Sequence, residues 1–538
     1  MNHSRDIDHS IAKERQAIAL TNQGRLQEAE EIYRQLILVD SGNHIAHANL
    51  AALCGMQGRF EELIELLKTA LKLRPNFPEA HNSLGNAFKA RGDLSAAIVS
   101  YNKALQLKPS FPEAYNNLGV AFKEQGDLAA SIDSYCRALL LKSDYPEAYK
   151  NLGNALLRRG DLGAAIQAYK SALKLRSKAS DFYSSLGVAF HERGDLDAAK
   201  KSHNKALELN PEYSEAKYNL ALAMLLGDDY KNGWQSYECR FEVNEDTAEF
   251  PSSAQCKRWQ GEDLATGSRL FVVAEQGLGD ILQFVRYVPL LRNHGVNVSL
   301  CTPLRLHPLI QASGLDSFPQ SSEQVSQIDE GLWVPLLSIP GHLGVSPANP
   351  IIVEPYLRAT NDLNGKWRTI FSQRRKPVVG INWRGNRDDV AKQHRNVSVQ
   401  LFKKITAVDA ADFLCLQRGA RSSDVEQVMP RLASNMPQNE VLRLADSDLP
   451  KDFLEYAAVI ANCDLVITTG STVAHLAAAM GIPTWVLLPK IPDWRWGLEG
   501  DASFWYPSMR LFRQKVRGDW SEVVDEVVDA LRNSVGVE

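Results

Sequence analysis

Gly277, Gly279 and Asp280 stand in the run AEQGLGD, directly after the apolar stretch LFVVA. A carboxylate in a glycine loop can accept a proton from a hydroxyl, and the glycines, with Gln276 beside them, admit a substrate to close range. Asp is equally a favoured residue at a helix start, where its carboxylate satisfies backbone donors. A second group lies in TTGSTVAHLAAAMG. There Thr469, Gly470, Ser471 and Thr472 separate a branched apolar run from a helical one, so hydroxyls and free helix N–H groups would cradle an anion. A glycine turn here is also ordinary punctuation between strand and helix. Arg384 and Asn386 follow VVGINW, and Arg395 ends the polar stretch NRDDVAKQHR. Guanidinium groups at these places would stabilise charge on a departing anion without reorganisation. Gln417 ends the run FLCLQ, and PDWRW offers Trp494 and Trp496 as an aromatic wall for a ligand. The chemistry these residue types suit is proton abstraction beside a bound anion.

Short β-branched runs alternating with helical ones must position them. LFVVA, VNVSLC, KPVVGIN, DFLCLQ, DLVITTG and PTWVLLP read as strands with helices between, which implies parallel sheets. The pattern restarts once, giving two doubly wound, Rossmann-like lobes at 269–365 and 376–538, the second ending in an amphipathic helix, Asp519 to Asn533. Ligands in such folds bind at the carboxyl ends of the strands. GLGD lacks the third glycine of a dinucleotide fingerprint and no Walker lysine is present, which disfavours hydride transfer and phosphoryl transfer from ATP. Asp446-Ser447-Asp448 matches a metal-binding DxD pattern but reads more simply as loop and capping carboxylates, so no metal and no cofactor is expected.

The other half of the chain repeats. Gly24, Gly58, Gly92, Gly126, Gly160 and Gly194 recur every 34 residues, the mark of a helical solenoid over 10–243, with 244–268 as a linker or docking segment. Seven units begin at Ser10, His44, Pro78, Pro112, Pro146, Ser180 and Ser214, each a helical hairpin, the last diverging with Asp228 in place of glycine. Small residues such as Gly85 and Ala97 let helices approach while Phe88 and Tyr101 fill the gaps. The sixth position holds Asn49, Ser83, Asn117, Asn151, Ser185 and Asn219, a polar ladder suited to pairing with the backbone of an extended peptide.

The 538 residues are 44% hydrophobic, ample for packed cores, and the net charge of −4 offers no whole-chain field for nucleic acid or anionic membrane. Seven scattered cysteines, none in CxxC spacing, read as reduced thiols. With no apolar leader and no spanning run, the expectation is a cytoplasmic protein.

Two resemblances follow. Leu84-Gly85, Phe88, Ala97, Tyr101, Ala104 and Pro109 fall where tetratricopeptide repeats place their small and bulky residues, and the asparagine ladder resembles that of the eukaryotic O-GlcNAc transferase superhelix. WQGEDL, AEQGLGDILQFVRYVPLL, GINWRGN, ITTGSTVAHLAAAMGIPTWVLLP, PDWRW and WYPSMRLFRQ, in that order, resemble bacterial tetratricopeptide proteins whose C-terminal domain is similar to heptosyltransferases and O-GlcNAc transferases. The resemblance implies a GT-B fold with an acceptor lobe followed by a donor lobe. It also implies an inverting, metal-independent glycosyltransferase moving a sugar from a nucleotide sugar to a Ser or Thr hydroxyl of a protein held by the repeats, such as flagellin or another surface protein. It makes Asp280 the general base and takes His475 to a phosphate or the ribose. The chain departs from many relatives at Gly470-Ser471, where they carry Asp-Thr. A glycan acceptor, or a scaffold whose transferase domain is inactive, are the alternatives.

Overall fold

Proline and glycine set the period of the solenoid. Pro78, Pro112 and Pro146 stand at the first position of α5 (Pro78–Ala90), α7 (Pro112–Gln125) and α9 (Pro146–Arg159), where no backbone donor is lost. The partners of these helices are α6 (Leu94–Leu107), α8 (Leu128–Leu141) and α10 (Leu162–Leu175). The turn glycines adopt left-handed backbone, φ 79° at Gly92 and 95° at Gly126 and Gly160. After Gly92 and Gly126 the Asp that follows caps the next helix: Asp93 accepts from Ala96 N–H at 3.0 Å and Asp127 from Ala130 N–H at 2.9 Å.

Earlier pairs are α1 (Asn2–Asn22) with α2 (Leu26–Val39) and α3 (His44–Met56) with α4 (Phe60–Leu73); α11 (Ser180–Arg193) and α12 (Leu196–Leu209) follow in sequence, and α13 (Ser214–Leu226) pairs with α14 (Tyr230–Tyr237). The first helix begins ahead of Ser10. At the seventh turn Asp228 takes the left-handed place of glycine, φ 61°, a conformation Asp tolerates better than most residues. The small residues do what their size requires. A Cβ on Gly85, Gly119 or Gly153 would lie 2.5, 2.7 or 2.6 Å from the ring of Tyr101, Tyr135 or Tyr169 respectively, each fully buried. Glu79–Lys108, Glu113–Lys142 and Glu147–Arg176 close successive hairpins, and Lys108 and Lys142 lie 4.5 and 4.8 Å over the rings of Phe111 and Tyr145.

This computed structural model describes residues 2–243, 256–321, 330–352, 355–372, 374–384, 396–420, 422–429 and 437–535. The chain forms two compact units, Met1–Phe190 and His191–Glu538, so α12 to α14 belong with the α/β region. Two sheets, all parallel, make up that region. The first has the order β1 (Lys257–Arg258), β4 (Leu332–Pro335), β2 (Arg269–Val273), β3 (Asn297–Cys301). The second runs β6 (Asp412–Cys415), β5 (Val378–Asn382), β7 (Leu465–Thr469), β8 (Thr484–Leu488), β9 (Met509–Arg513). Strand order reverses beside β2 and beside β5, creating two switch points. The final helix, Ser521–Val535, buries Val523, Val524, Val527 and Leu531 against the second sheet's outer core. No helix among the described residues is long and apolar enough to cross a membrane.

Candidate functional site

Both switch points lead into glycine turns. After β2 the chain runs through Glu275 to Gln276, a non-glycine residue at φ 62°, and into the helix Leu278–Phe284. Strain of this kind persists only where the surroundings hold it. The side-chain amide of Gln276 meets the Tyr237 hydroxyl at 3.2 Å. Gly277 N–H donates to Asp280 Oδ2 at 3.2 Å, so the carboxylate caps its own helix. The other oxygen of Asp280 receives a charged hydrogen bond from Arg495 Nη2. Arg495, 7% exposed, also donates to Asp493 Oδ1 at 2.9 Å and to Gln283 Oε1 at 3.0 Å. Enclosure pushes the Asp280 carboxyl above its ordinary range, and the Arg495 guanidinium works against that rise.

After β7, Gly470 and Ser471 lead into the helix Thr472–Ala479, whose N-cap position makes no side-chain hydrogen bond to the helix. The Ser471 hydroxyl turns instead to the sheet: Asn382 Nδ2, at the end of β5, donates to it at 2.8 Å and to Thr468 Oγ1 at 3.0 Å. Thr469 is buried and its hydroxyl has no partner among the described residues. A Cβ on Gly470 would stand 3.1 Å from Trp496 Nε1. His475, one turn into the helix, stacks on Trp496 with ring centroids 5.3 Å apart and shares a hydrogen bond of 3.0 Å with the Tyr506 hydroxyl. Burial holds its imidazole down to about 3, so it is neutral near pH 7 and carries no charge to an anion.

The two turns meet. The helices Leu278–Phe284 and Thr472–Ala479 pack on each other, and a Cβ on Gly279 would lie 3.1 Å from His475 Cδ2 and 3.6 Å from Thr472 Cα. Glycine at 279 is what allows that approach. Asp280, Thr472, His475 and Arg495 are thus gathered around the packing of these two helices, where a carboxylate held by Arg495 stands near a helix start whose N-cap side chain makes no hydrogen bond to the helix.

Other sequence-derived residues lie elsewhere. Gln417 accepts from Arg384 N–H at 3.0 Å and donates to Arg418 O at 3.1 Å, which ties the end of β6 to the end of β5. Arg384 pairs with Asp424 at 3.1 Å. Trp494 is 3% exposed and packs among Tyr230, Trp234, Tyr237 and Trp505 as part of an aromatic core. Asn386 and Arg395 lie outside the described residues, as do residues 244–255 of the linker segment. In Asp446-Ser447-Asp448 the carboxylates bind Gly419 N–H at 2.5 Å and the guanidiniums of Arg305 and Arg418 at 2.9 Å.

In the repeats, Asn49, Asn117, Asn151 and Asn219 are each half-buried on a first helix. Asn117 Nδ2 donates to Asn82 Oδ1 at 3.1 Å, and Asn151 Nδ2 to Asn116 Oδ1 at 3.0 Å. The amides of successive hairpins are therefore linked, and each of these two spends one hydrogen on its neighbour.

Family models described as TPR repeat match residues 56–90, 85–126, 121–160 and 153–194, and one described as Tetratricopeptide repeat matches 180–213. These hairpins are tetratricopeptide repeats. The chain is 25% identical over 299 residues to Protein FlbA of Caulobacter vibrioides, an alignment that takes in 51% of this chain and 48% of that one. It thus spans about half the length of that curated relative. Among solved structures it is similar to MamA protein (30% identity, 32% of this chain and 94% of that one, TM-score 0.29). It is also similar to PilW, a type IV pilus biogenesis factor (20%, 39% and 98%, TM-score 0.38).

The last helical hairpin, α13 with α14, leads into residues that sequence reasoning missed. Arg240, just beyond α14 and 1% exposed, donates to both oxygens of Glu275 at 2.8 and 3.3 Å, and to Ser338 Oγ at 2.8 Å. Leu337 N–H adds a bond of 3.0 Å to Glu275. This buried pair fixes the residue preceding Gln276. Arg495 was hidden between two tryptophans in PDWRW, and its signal was a cation in a motif otherwise read for its rings. Tyr506 and the fully buried Arg286, whose guanidinium lies 4.2 Å over the Tyr506 ring, complete the wall behind His475.

Proposed function

We propose that the chain is a GT-B glycosyltransferase, independent of metal, that moves a sugar from a nucleotide sugar to a hydroxyl of a polypeptide held by its tetratricopeptide repeats. The observation that carries this reading is the meeting of the two glycine turns, with the helix that carries Gly279 and Asp280 packed on the start of the helix Thr472–Ala479, whose N-cap side chain makes no hydrogen bond to the helix. Asp280 takes the proton of the acceptor hydroxyl as its oxygen bonds to the anomeric carbon. The bond from that carbon to the diphosphate breaks on the opposite face, and the leaving group departs with the electron pair. The helix N–H groups and the hydroxyl of Thr472 receive the growing negative charge. Arg495 aims the carboxylate. Ser or Thr of a surface protein such as flagellin is the acceptor this reading favours.

The test is intact-mass spectrometry of partner proteins co-expressed with the native chain or with Asp280→Asn. A sugar-sized increment with the native chain alone is expected. Continued transfer by Asp280→Asn would remove the base assignment, and stabilisation of that variant by a nucleotide sugar would show an intact donor site.

A second reading rests on the internal engagement of Gln417, Arg384 and Trp494, which leaves them committed to packing and to each other. In this reading the α/β region is a scaffold without catalysis. Failure of any nucleotide sugar or nucleoside diphosphate to raise the unfolding temperature supports it.

A further inference from the structure

Counted from Pro78, Pro112 and Pro146, Lys89 and Lys123 occupy position 12 of their repeats and Arg158 position 13. Asn82, Asn116 and Lys150 occupy position 5, Asn117 and Asn151 position 6, Asn86 and Asn154 position 9. Steps of three, four and seven residues place all of them on one face of α5, α7 and α9. The structure joins these faces: besides the Asn82–Asn117 and Asn116–Asn151 bonds, Arg158 Nη1 reaches Lys123 O at 3.2 Å. The charges crowd. Burial lowers the affinity of Lys123 for its proton, Glu124 opposes that, and the nearby Arg158, Lys89 and Lys150 reinforce it.

The rest of this unit pairs many of its cations with carboxylates, as Arg34, Arg59, Lys108, Lys142, Lys150 and Arg176 show. Lys89, Lys123 and Arg158 form no ion pair among the described residues, and the acidic residue standing with them on this face is Glu124. An unpaired cation on each of three successive repeats, interleaved with amides, is a complement to negative charge spaced along an extended chain.

We infer that this face of α5, α7 and α9 docks an acidic, extended stretch of polypeptide. The inference rests on the reading that the repeats hold a protein partner, and it names the chemistry of that partner. Amides at positions 5, 6 and 9 pair with its backbone, while the three cations select its carboxylates. The face carries no aromatic side chain at positions 5, 6, 9, 12 or 13 of these three repeats, so it offers no stacking platform for nucleotide bases.

Fluorescence anisotropy on the full chain tests this, with a labelled peptide alternating Glu and Ser, its Gln-for-Glu counterpart, and a single-stranded oligonucleotide of equal charge. The Glu peptide should bind about tenfold tighter than the Gln peptide, and the advantage should fade in high salt. Lys89→Gln, Lys123→Gln and Arg158→Gln together should abolish the preference. Lys108→Gln, Lys142→Gln and Arg176→Gln, at the hairpin ends, should retain it. Equal affinity for the two peptides would overturn the inference, as would tighter binding of the oligonucleotide. Should the triple variant fail to fold by circular dichroism, the peptide comparison on the unaltered chain still decides. Sugar transfer enters none of these measurements, so an absence of transferase activity would leave the result standing.

Discussion

Asp280 sits between two influences, enclosure that raises its affinity for a proton and a guanidinium that lowers it, and the first prevails. A base of this kind is lost as pH falls through its raised value. The kcat/KM of the proposed sugar transfer is therefore expected to decline on acidification at a pH above the ordinary Asp value of about 4, and Asp280→Glu should displace that limb. A profile flat down to ordinary carboxylate pH would argue that Asp280 only caps its helix. His203 offers a second titration. It takes the place that Tyr101, Tyr135 and Tyr169 hold in earlier repeats, is fully buried, and has no partner for either ring nitrogen among the described residues. Tyr101 and Tyr169 donate to Asn86 and Asn154, whereas the corresponding position before His203 is Val188. Burial holds His203 down to about 4 from 6.5, so the unfolded chain binds the proton first and stability falls as pH drops from 6.5 towards 4. The loss should approach roughly 3 kcal/mol, and His203→Phe should remove it in urea titrations at pH 7 and pH 4.5.

At the scale of elements, the glycine–tyrosine contact sets how close the helices of a hairpin lie. Gly119→Ala would drive a methyl group against the buried Tyr135 ring and should cost about 1–3 kcal/mol in urea unfolding. Alanine tolerated without loss would mean that the ring is free to move. The hairpins were plain in the sequence because their glycines, prolines and small residues each answer a local steric demand. Six strands were legible for a like reason, as runs of branched residues before a turn. Strand β4 was not, since LWVP is short and ends in proline, and β1 and β9 carry lysine or arginine that masks an apolar run. The site was legible where backbone chemistry dictates it, at Gly277, Gly279, Gly470 and Ser471. It was obscure where partners come from distant sequence: nothing near Asp280 announces Arg495, some two hundred residues on, or Arg240 behind Glu275.

Across the molecule, the buried pair of Arg240 with Glu275 connects the last hairpin to the loop that carries Asp280. Arg240→Ala would strand a carboxylate in the core, and a loss of about 3–5 kcal/mol is expected in thermal or urea unfolding. Restoration by the further change Glu275→Gln would show that the cost arises from the unpaired charge, while an unchanged stability would deny the pair any part in the fold. The same hairpin drives Trp234 into the core beside Trp494 and Phe284, where its indole donates to Val345 O at 2.8 Å. This limits what recombination can do with the gene. Units whose neighbours are only other repeats can be duplicated or deleted, and a longer or shorter array would lose none of the residues around Asp280. The seventh cannot be traded so freely, and a splice at residue 243, where the period visibly ends, would remove Tyr230, Trp234 and Arg240 from a core they complete. The working seam for exchanging one recognition array for another lies upstream of α12, which belongs to the same compact unit as the α/β region.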